Sequence, residues 1–192
     1  MDQQSTSILP FNEFDWRLDS TTAVFNAISR AILETQARFA GVNEDYETDL
    51  GIAVIEDLLG LAFVAAQAYI AGTISDARKI AKRAPSLTKQ GLLRIGPATI
   101  ADTTTTCMEL IDAVANYYKH HDEWSGWDKP GLHQKTVEVL RCLETDDFEP
   151  FICIRAAEAL HHGVEGAELQ TLLSLITGWR QVVIQEAKSV PG

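Results

Sequence analysis

Apolar residues recur at spacings of three and four along most of the chain, and this periodicity predicts helices nearly everywhere and strands nowhere. The spacing predicts a first helix that begins at Asp19 or Ser20 and ends at about Phe39. A second helix is predicted to begin near Asp49, and its run from Leu50 to Ile70 is apolar on most sides. A helix of that kind belongs at the centre of a bundle or at a dimer interface.

The rest of the chain follows the same spacing, with a few interruptions. Gly72-Thr73 is expected to kink the second helix, and Gly91 to Pro97 is expected to be a loop. The run from Thr103 to Thr106 is β-branched and would suit a strand locally, but the apolar spacing after it favours a helix. Residues 76–82 are predicted to continue the second helix or to form a short new one, and the further helices are predicted at residues 98–121, 132–143, 149–162 and 167–188.

This pattern predicts an all-α fold, an antiparallel bundle of about five to seven helices. An N-terminal arm is expected at residues 1–18 and a single helical domain at residues 19–188. The length of 192 residues suits one domain with a substantial core. Because one chain would not fully cover the apolar second helix, we expect a homodimer.

Composition indicates a cytoplasmic protein that has no membrane-spanning segment. No window reaches the roughly 18 uninterrupted apolar residues that a membrane helix needs. The first residues lack the basic and apolar regions of a secretory signal. The three cysteines, Cys107, Cys142 and Cys153, have no C-x-x-C spacing, and we interpret them as reduced core side chains.

The net charge of −11, from 27 acidic and 16 basic residues, restricts the possible partners. An acidic surface repels phosphate backbones at long range, so binding of a nucleic acid would need a local basic patch. The basic stretch 78–83 is interpreted instead as the cationic last turn of a helix. The charge therefore favours one alternative function, a non-catalytic, immunity-like or antitoxin-like module that binds a basic protein.

Reactive side chains are concentrated at the end of the 98–121 helix. A histidine there could act as a general acid or base, because imidazole titrates near neutral pH. A neighbouring amide could orient the ring or a substrate phosphate, and an ammonium could stabilise anionic charge or pair with a carboxylate. The alternative is that the cationic groups complement the dipole of the helix C-terminus. The candidate catalytic residues are Asn116, Lys119, His120, His121 and Glu123.

The stretch Asn116-Tyr117-Tyr118-Lys119-His120 resembles the N-x-x-K-H form of some HEPN-type helical domains. Those domains are all-α, are usually homodimers, and include many metal-independent ribonucleases of toxin–antitoxin and phage-defence systems. Their usual arginine is replaced here by Ala115, Asn116 takes the following polar position, and His120 or His121 takes the histidine position. The resemblance implies a degenerate HEPN-like protein of a prokaryotic defence or toxin–antitoxin type that binds or cleaves RNA.

Other chemistry has weaker support in the sequence. Arg155 and His162 also fit an arginine–histidine spacing, but we interpret that stretch as a solvated helix face. His133 and the paired histidines are plausible metal ligands, yet there is no H-E-x-x-H motif and no cysteine pair. Glycine-rich phosphate loops are also missing, so the sequence predicts neither a metal nor a cofactor.

Overall fold

Seven α-helices and two short 3-10 turns form the regular structure of the residues that the computed structural model describes. Those residues are 14–40, 45–82, 87–96, 98–123, 133–143, 151–161 and 168–190, without the side chains of 45–48, 161 and 168. Within them, strand pairing is limited to one isolated bridge, so the predicted all-α bundle is confirmed. The helices are α1 (Leu18–Phe39), α2 (Asp45–Ile80), α3 (Lys89–Leu93), α4 (Cys107–His120), α5 (Gln134–Leu140), α6 (Ile152–His161) and α7 (Glu168–Ser189), and the 3-10 turns are His121–Glu123 and Arg141–Leu143.

The long helix α2 lies at the centre of the fold and packs against α1, α4, α6 and α7. Its side chains Phe63, Tyr69 and Ile70 are almost fully buried, as the apolar run predicts. The helix begins at Asp45, four residues before the predicted start near Asp49, and runs without a break through Gly72-Thr73 to Ile80, so residues 76–80 continue it. Gly72 serves packing instead, because a Cβ atom there would overlap the guanidinium of Arg17.

The start of α4 also differs from the sequence prediction. The helix begins at Cys107 and not at Ala98. The Thr106 hydroxyl accepts from the backbone N–H of Glu109, and the Glu109 carboxylate accepts from the Thr106 N–H, which is a capping box. Upstream of this cap, Thr99 and Thr106 form the isolated bridge. The four-threonine run therefore precedes the helix, as its β-branched side chains favour.

Two smaller differences concern helix lengths. The predicted loop at 91–97 contains the end of a short helix, α3, whose N-cap Thr88 accepts from the N–H of Gly91 at 3.0 Å. The predicted helix at 132–143 is α5 followed by the 3-10 turn Arg141–Leu143. Cys107 and Cys153 are buried, as predicted, whereas Cys142 is half-buried, and no disulfide joins the three.

A buried ion network fastens the start of α1 to α2 and α7. Asp76 on α2 is 2% exposed and Arg180 on α7 is 4% exposed, and Asp76 Oδ2 lies 3.1 Å from Arg180 Nη1. The same oxygen lies 2.7 Å from Arg17 Nη1. The Tyr69 hydroxyl donates a hydrogen bond to Asp15 just before α1. Charged groups this deeply buried are stable only when they are paired.

Among the described residues, none of the helices is both long enough and apolar enough to cross a membrane.

The part of the expected arm that is described begins at Phe14, and Leu18 already belongs to α1. Phe14 and Trp16 are exposed, whereas Asp15 and Arg17, which alternate with them, point into the ion network. His162 of the second arginine–histidine match lies outside the described residues, and Arg155 is half-buried on α6.

Candidate functional site

The five predicted site residues lie at the C-terminal end of α4 and in the 3-10 turn that follows it. Asn116 and His120 are half-buried on α4, and Lys119 between them is exposed. His121 and Glu123 lie in the 3-10 turn and are exposed. The structure thus brings all five to one end of the helix, but their side chains fall into three groups.

The first group is organised by Gln67, a residue of α2 that sequence analysis missed. Its amide nitrogen donates to Asn116 Oδ1 at 2.9 Å and to Asp112 Oδ1 at 2.8 Å. Its amide oxygen accepts from Lys119 Nζ at 2.7 Å. The sequence spacing would also allow Lys119 to pair with Glu123, but the structure links Lys119 to α2. The only sequence signal was that Gln67 is a polar interruption of an apolar run.

The second group is a pair of imidazoles that come from different helices. The ring of His120 stacks against that of His133, at the N-cap of α5, with ring centroids 5.8 Å apart and planes inclined by 27°. His120 Nδ1 is buried and lies 3.4 Å from Glu123 Oε2, but it has no hydrogen-bond partner among the described residues. From the sequence, His133 is expected only as a metal ligand, and nothing in the local pattern pairs it with His120.

The third group turns away from that pair. The ring of His121 stacks on Tyr117 with centroids 5.1 Å apart, and its Nδ1 lies 3.2 Å from the carbonyl oxygen of Tyr118. Burial, followed by the nearby charges, raises the pKa of Tyr117 to about 12, so its phenol is protonated at neutral pH. Of the two alternatives for the histidine position, only His120 thus faces a second imidazole.

A cleft between α3 and α5 runs along α4 beside this cluster. One part is a cavity of about 220 Å³ that is lined by Asp112 and Asn116. The other is a cavity of about 580 Å³ nearer the start of α4, lined by Arg94 and the threonines 104 and 105. The two parts adjoin, because both are lined by Lys135 of α5. Of the five candidate residues, Asn116 lines this cleft.

Ion pairs hold α3 against α4 on one side of this cleft. Lys89 Nζ lies 2.7 Å from Asp112 Oδ2, and Arg94 Nε lies 2.7 Å from Glu109 Oε1. Burial raises the pKa of Glu109, but the hydrogen bonds from Arg94 and Thr106, together with the Arg94 charge, outweigh it and set the pKa below its usual range. The capping box of α4 thus depends on an ionised Glu109.

We expect replacement of Glu109 with glutamine to destabilise the protein by about 2 kcal/mol at neutral pH, because a charged hydrogen-bond acceptor is lost. A carboxyl with a lowered folded-state pKa contributes stability above its unfolded-state pKa of about 4.3 and loses that contribution as the pH falls. The stability difference between wild type and Glu109→Gln should therefore shrink below that pH. Urea unfolding from neutral to acidic pH measures it, and a difference that does not change with pH would contradict the assignment.

In the part of the chain that the structure describes, no three histidine, cysteine or acidic side chains are grouped so that they could hold a metal ion. Comparisons of the chain with protein-family models, with curated proteins and with solved structures find no match. The HEPN-like resemblance therefore stays a prediction. Ala115, at the arginine position of that resemblance, is fully buried, so this position faces the core and not the cluster.

Proposed function

We propose that the protein is a degenerate HEPN-like ribonuclease of a prokaryotic defence or toxin–antitoxin type, which cleaves RNA without a metal ion at the end of α4. The observation that carries the proposal is the close pair of imidazoles, His120 and His133. Phosphodiester cleavage without a metal ion requires a general base and a general acid, and two imidazoles can supply both.

The proposed reaction uses one imidazole as a base and the other as an acid. The base takes the proton of the ribose 2′-hydroxyl, whose oxygen forms a bond to the adjacent phosphorus. The bond from phosphorus to the 5′-oxygen breaks, and the acid gives that oxygen a proton, which leaves a 2′,3′-cyclic phosphate and a 5′-hydroxyl. Two imidazoles 5.8 Å apart are close enough to serve the two sides of one phosphate.

The neighbouring side chains have supporting roles in this proposal. Lys119 is held by Gln67 at 2.7 Å and would stabilise the negative charge that develops on the phosphate oxygens. Asn116, fixed by the same glutamine, would orient the substrate at the mouth of the smaller cavity. Glu123 lies 3.4 Å from His120 and would keep its ring in position. The buried Ala115 supplies no cation, so this role passes to Lys119.

The proposal is tested with purified protein, single-stranded RNA and excess chelator. We expect wild type to cleave, and His120→Ala and His133→Ala to lose at least about 100-fold in rate, which is the low end of the contribution of general acid–base catalysis. His121→Ala is the matched control, because this exposed ring faces Tyr117. Equal rates for wild type and His120→Ala would refute the proposal.

A second candidate function is a non-catalytic module that binds a basic protein, and the net charge of −11 supports it. In that case purified protein would leave RNA intact and would capture a basic partner at low salt but not at high salt.

We also propose a cytoplasmic location, which the three free cysteines support. The homodimer that the apolar second helix predicts is likewise a proposal, and the exposed apolar side chains of α2 support it.

A further inference from the structure

The outer face of α2 is apolar along its middle. Between Asp57 and Arg78, the exposed residues of this helix are Leu61, Ala68, Ala71 and Ser75, and none of them is charged. The Leu61 side chain is 50% exposed. Because the rest of the protein carries a net charge of −11, an uncharged strip of this length is a candidate interaction surface.

Charges stand at both ends of this strip. Asp57 lies on the N-terminal side and Lys79 on the C-terminal side, and both are exposed. Successive residues of an α-helix are rotated by about 100° about its axis. Asp57, Leu61, Ser75 and Lys79 therefore all point within about 20° of the direction of Ala68. Asp57 and Lys79 are each 11 positions from Ala68, and Leu61 and Ser75 are each seven positions from it.

We infer that this face of α2 binds the same face of a second copy, in antiparallel orientation, with the two-fold axis at Ala68. This arrangement places Asp57 of each copy against Lys79 of the other and Leu61 against Ser75. It deepens the proposed homodimer by naming its interface, and it does not depend on RNA cleavage. A two-fold axis requires a surface that complements itself. The strip meets this requirement, because an acidic and a large residue on one side of Ala68 face a basic and a small residue of the partner copy.

The residues at the centre suit close packing of two helices. Ala68 and its neighbour Ala71 are exposed and small, so the two α2 backbones can approach to about 8 Å. The large Leu61 side chain then fills the space over the small Ser75 of the partner copy. A parallel pairing about the same residue would place Asp57 against Asp57 and Lys79 against Lys79, and like charges disfavour it.

The strip predicts a weak dimer. A face about 35 Å long and about 11 Å wide covers roughly 400 Å² on each copy, or about 800 Å² in total, which is less than the roughly 1,000 Å² that a stable specific interface needs. We therefore expect a dissociation constant on the order of 10–100 μM. Sedimentation equilibrium of the full chain from roughly 5 to 300 μM would then show a reversible monomer–dimer equilibrium.

Variants of the strip test the interface. Ala68→Arg places two guanidinium groups at the two-fold axis, and we expect the dimer to weaken at least about 30-fold. Leu33→Arg is the matched control, because Leu33 on α1 is 65% exposed and lies off the strip. Circular dichroism confirms that both variants stay folded. Two results would overturn the inference. One is a wild-type chain that stays monomeric throughout the concentration range, as expected if a segment of the same chain covers the face. The other is a dimer that Ala68→Arg leaves intact.

Charge reversal tests the orientation and the register. Asp57→Lys and Lys79→Glu each bring like charges together twice in the dimer, and we expect each to raise the dissociation constant about fivefold. The double variant Asp57→Lys/Lys79→Glu restores both pairs and should return the constant to near the wild-type value. A double variant that dimerises more weakly than either single variant would overturn the register. The test of RNA cleavage uses variants of His120 and His133, which lie outside this strip. Failure of the dimer proposal can therefore be told apart from failure of the ribonuclease proposal.

Discussion

Replacing Asp76 with alanine is expected to destabilise the protein by about 3–5 kcal/mol, since removing one partner of a buried ion pair leaves the other charge uncompensated. Asp76 Oδ2 is shared between Arg180 at 3.1 Å and Arg17 at 2.7 Å. Arg180 is 4% exposed and cannot reach bulk water without a movement of α7. Its remaining partners include the neutral Thr73 hydroxyl and Phe14 carbonyl and, at 3.5 Å, the carboxylate of Asp15, which is more exposed than Asp76 and replaces the lost carboxylate only in part.

Urea unfolding at neutral pH measures this loss, and Glu186→Ala, an exposed acid on α7, is the control, with an expected change within about 0.5 kcal/mol. A second variant separates the ion pair from simple packing. Asp76→Leu/Arg180→Met removes both buried charges, so it should be more stable than Asp76→Ala by about 1–3 kcal/mol. If Asp76→Ala cost less than about 1 kcal/mol, the network would not be what fastens α1 to α2 and α7.

The helices that sequence analysis predicted well are those with a long apolar stripe. The first helix was expected to end at about Phe39, and α1 ends there. The buried side chains Phe25, Ile28 and Ile32 repeat at helical spacing along one face, so periodicity alone defines it. The continuous course of α2 through Gly72 was missed because the glycine accommodates Arg17, which lies 55 residues away in sequence.

The sequence carries a local signal for the start of α4 that is independent of the apolar periodicity. Thr106 and Glu109 have the spacing of a capping box directly before an apolar run. Apolar periodicity could not reveal this boundary, because Ile100 upstream of the cap is also buried and continues the core. Local cap chemistry, and not hydrophobicity, decides where this helix begins.

The candidate site was predictable only for the residues that share α4. Helical spacing places Asn116 and His120 one turn apart, but it carries no information about partners on other helices. Gln67 lies 49 positions before Asn116, and His133 follows His120 across a segment outside the described residues. Both partners are brought in by the packing of α2 and α5 against α4, which no local pattern encodes.

The second large effect is expected at Glu56, whose carboxylate joins α2 to the start of α6. Its two oxygens accept from the backbone N–H groups of Cys153 and Ile154 at 2.8 and 2.9 Å. These are donors of the first helical turn, which has no intrahelical acceptor for them, and a negative charge there also complements the helix dipole. Burial, followed by the Glu56 charge, raises the pKa of the Cys153 thiol, which keeps that side chain neutral beside the carboxylate.

Glu56→Ala should therefore destabilise the protein by about 2–4 kcal/mol, since each hydrogen bond to a charged group contributes about 1.5–3 kcal/mol and the carboxylate is only half-buried. Glu56→Gln keeps one acceptor oxygen without the charge and should lose about half as much. Glu158→Ala, an exposed acid on α6, is the matched control. Urea unfolding gives the energies, and amide hydrogen exchange gives the location: exchange at Cys153 and Ile154 should accelerate in Glu56→Ala more than exchange in α1. Unchanged protection of these two amides would show that another group caps α6.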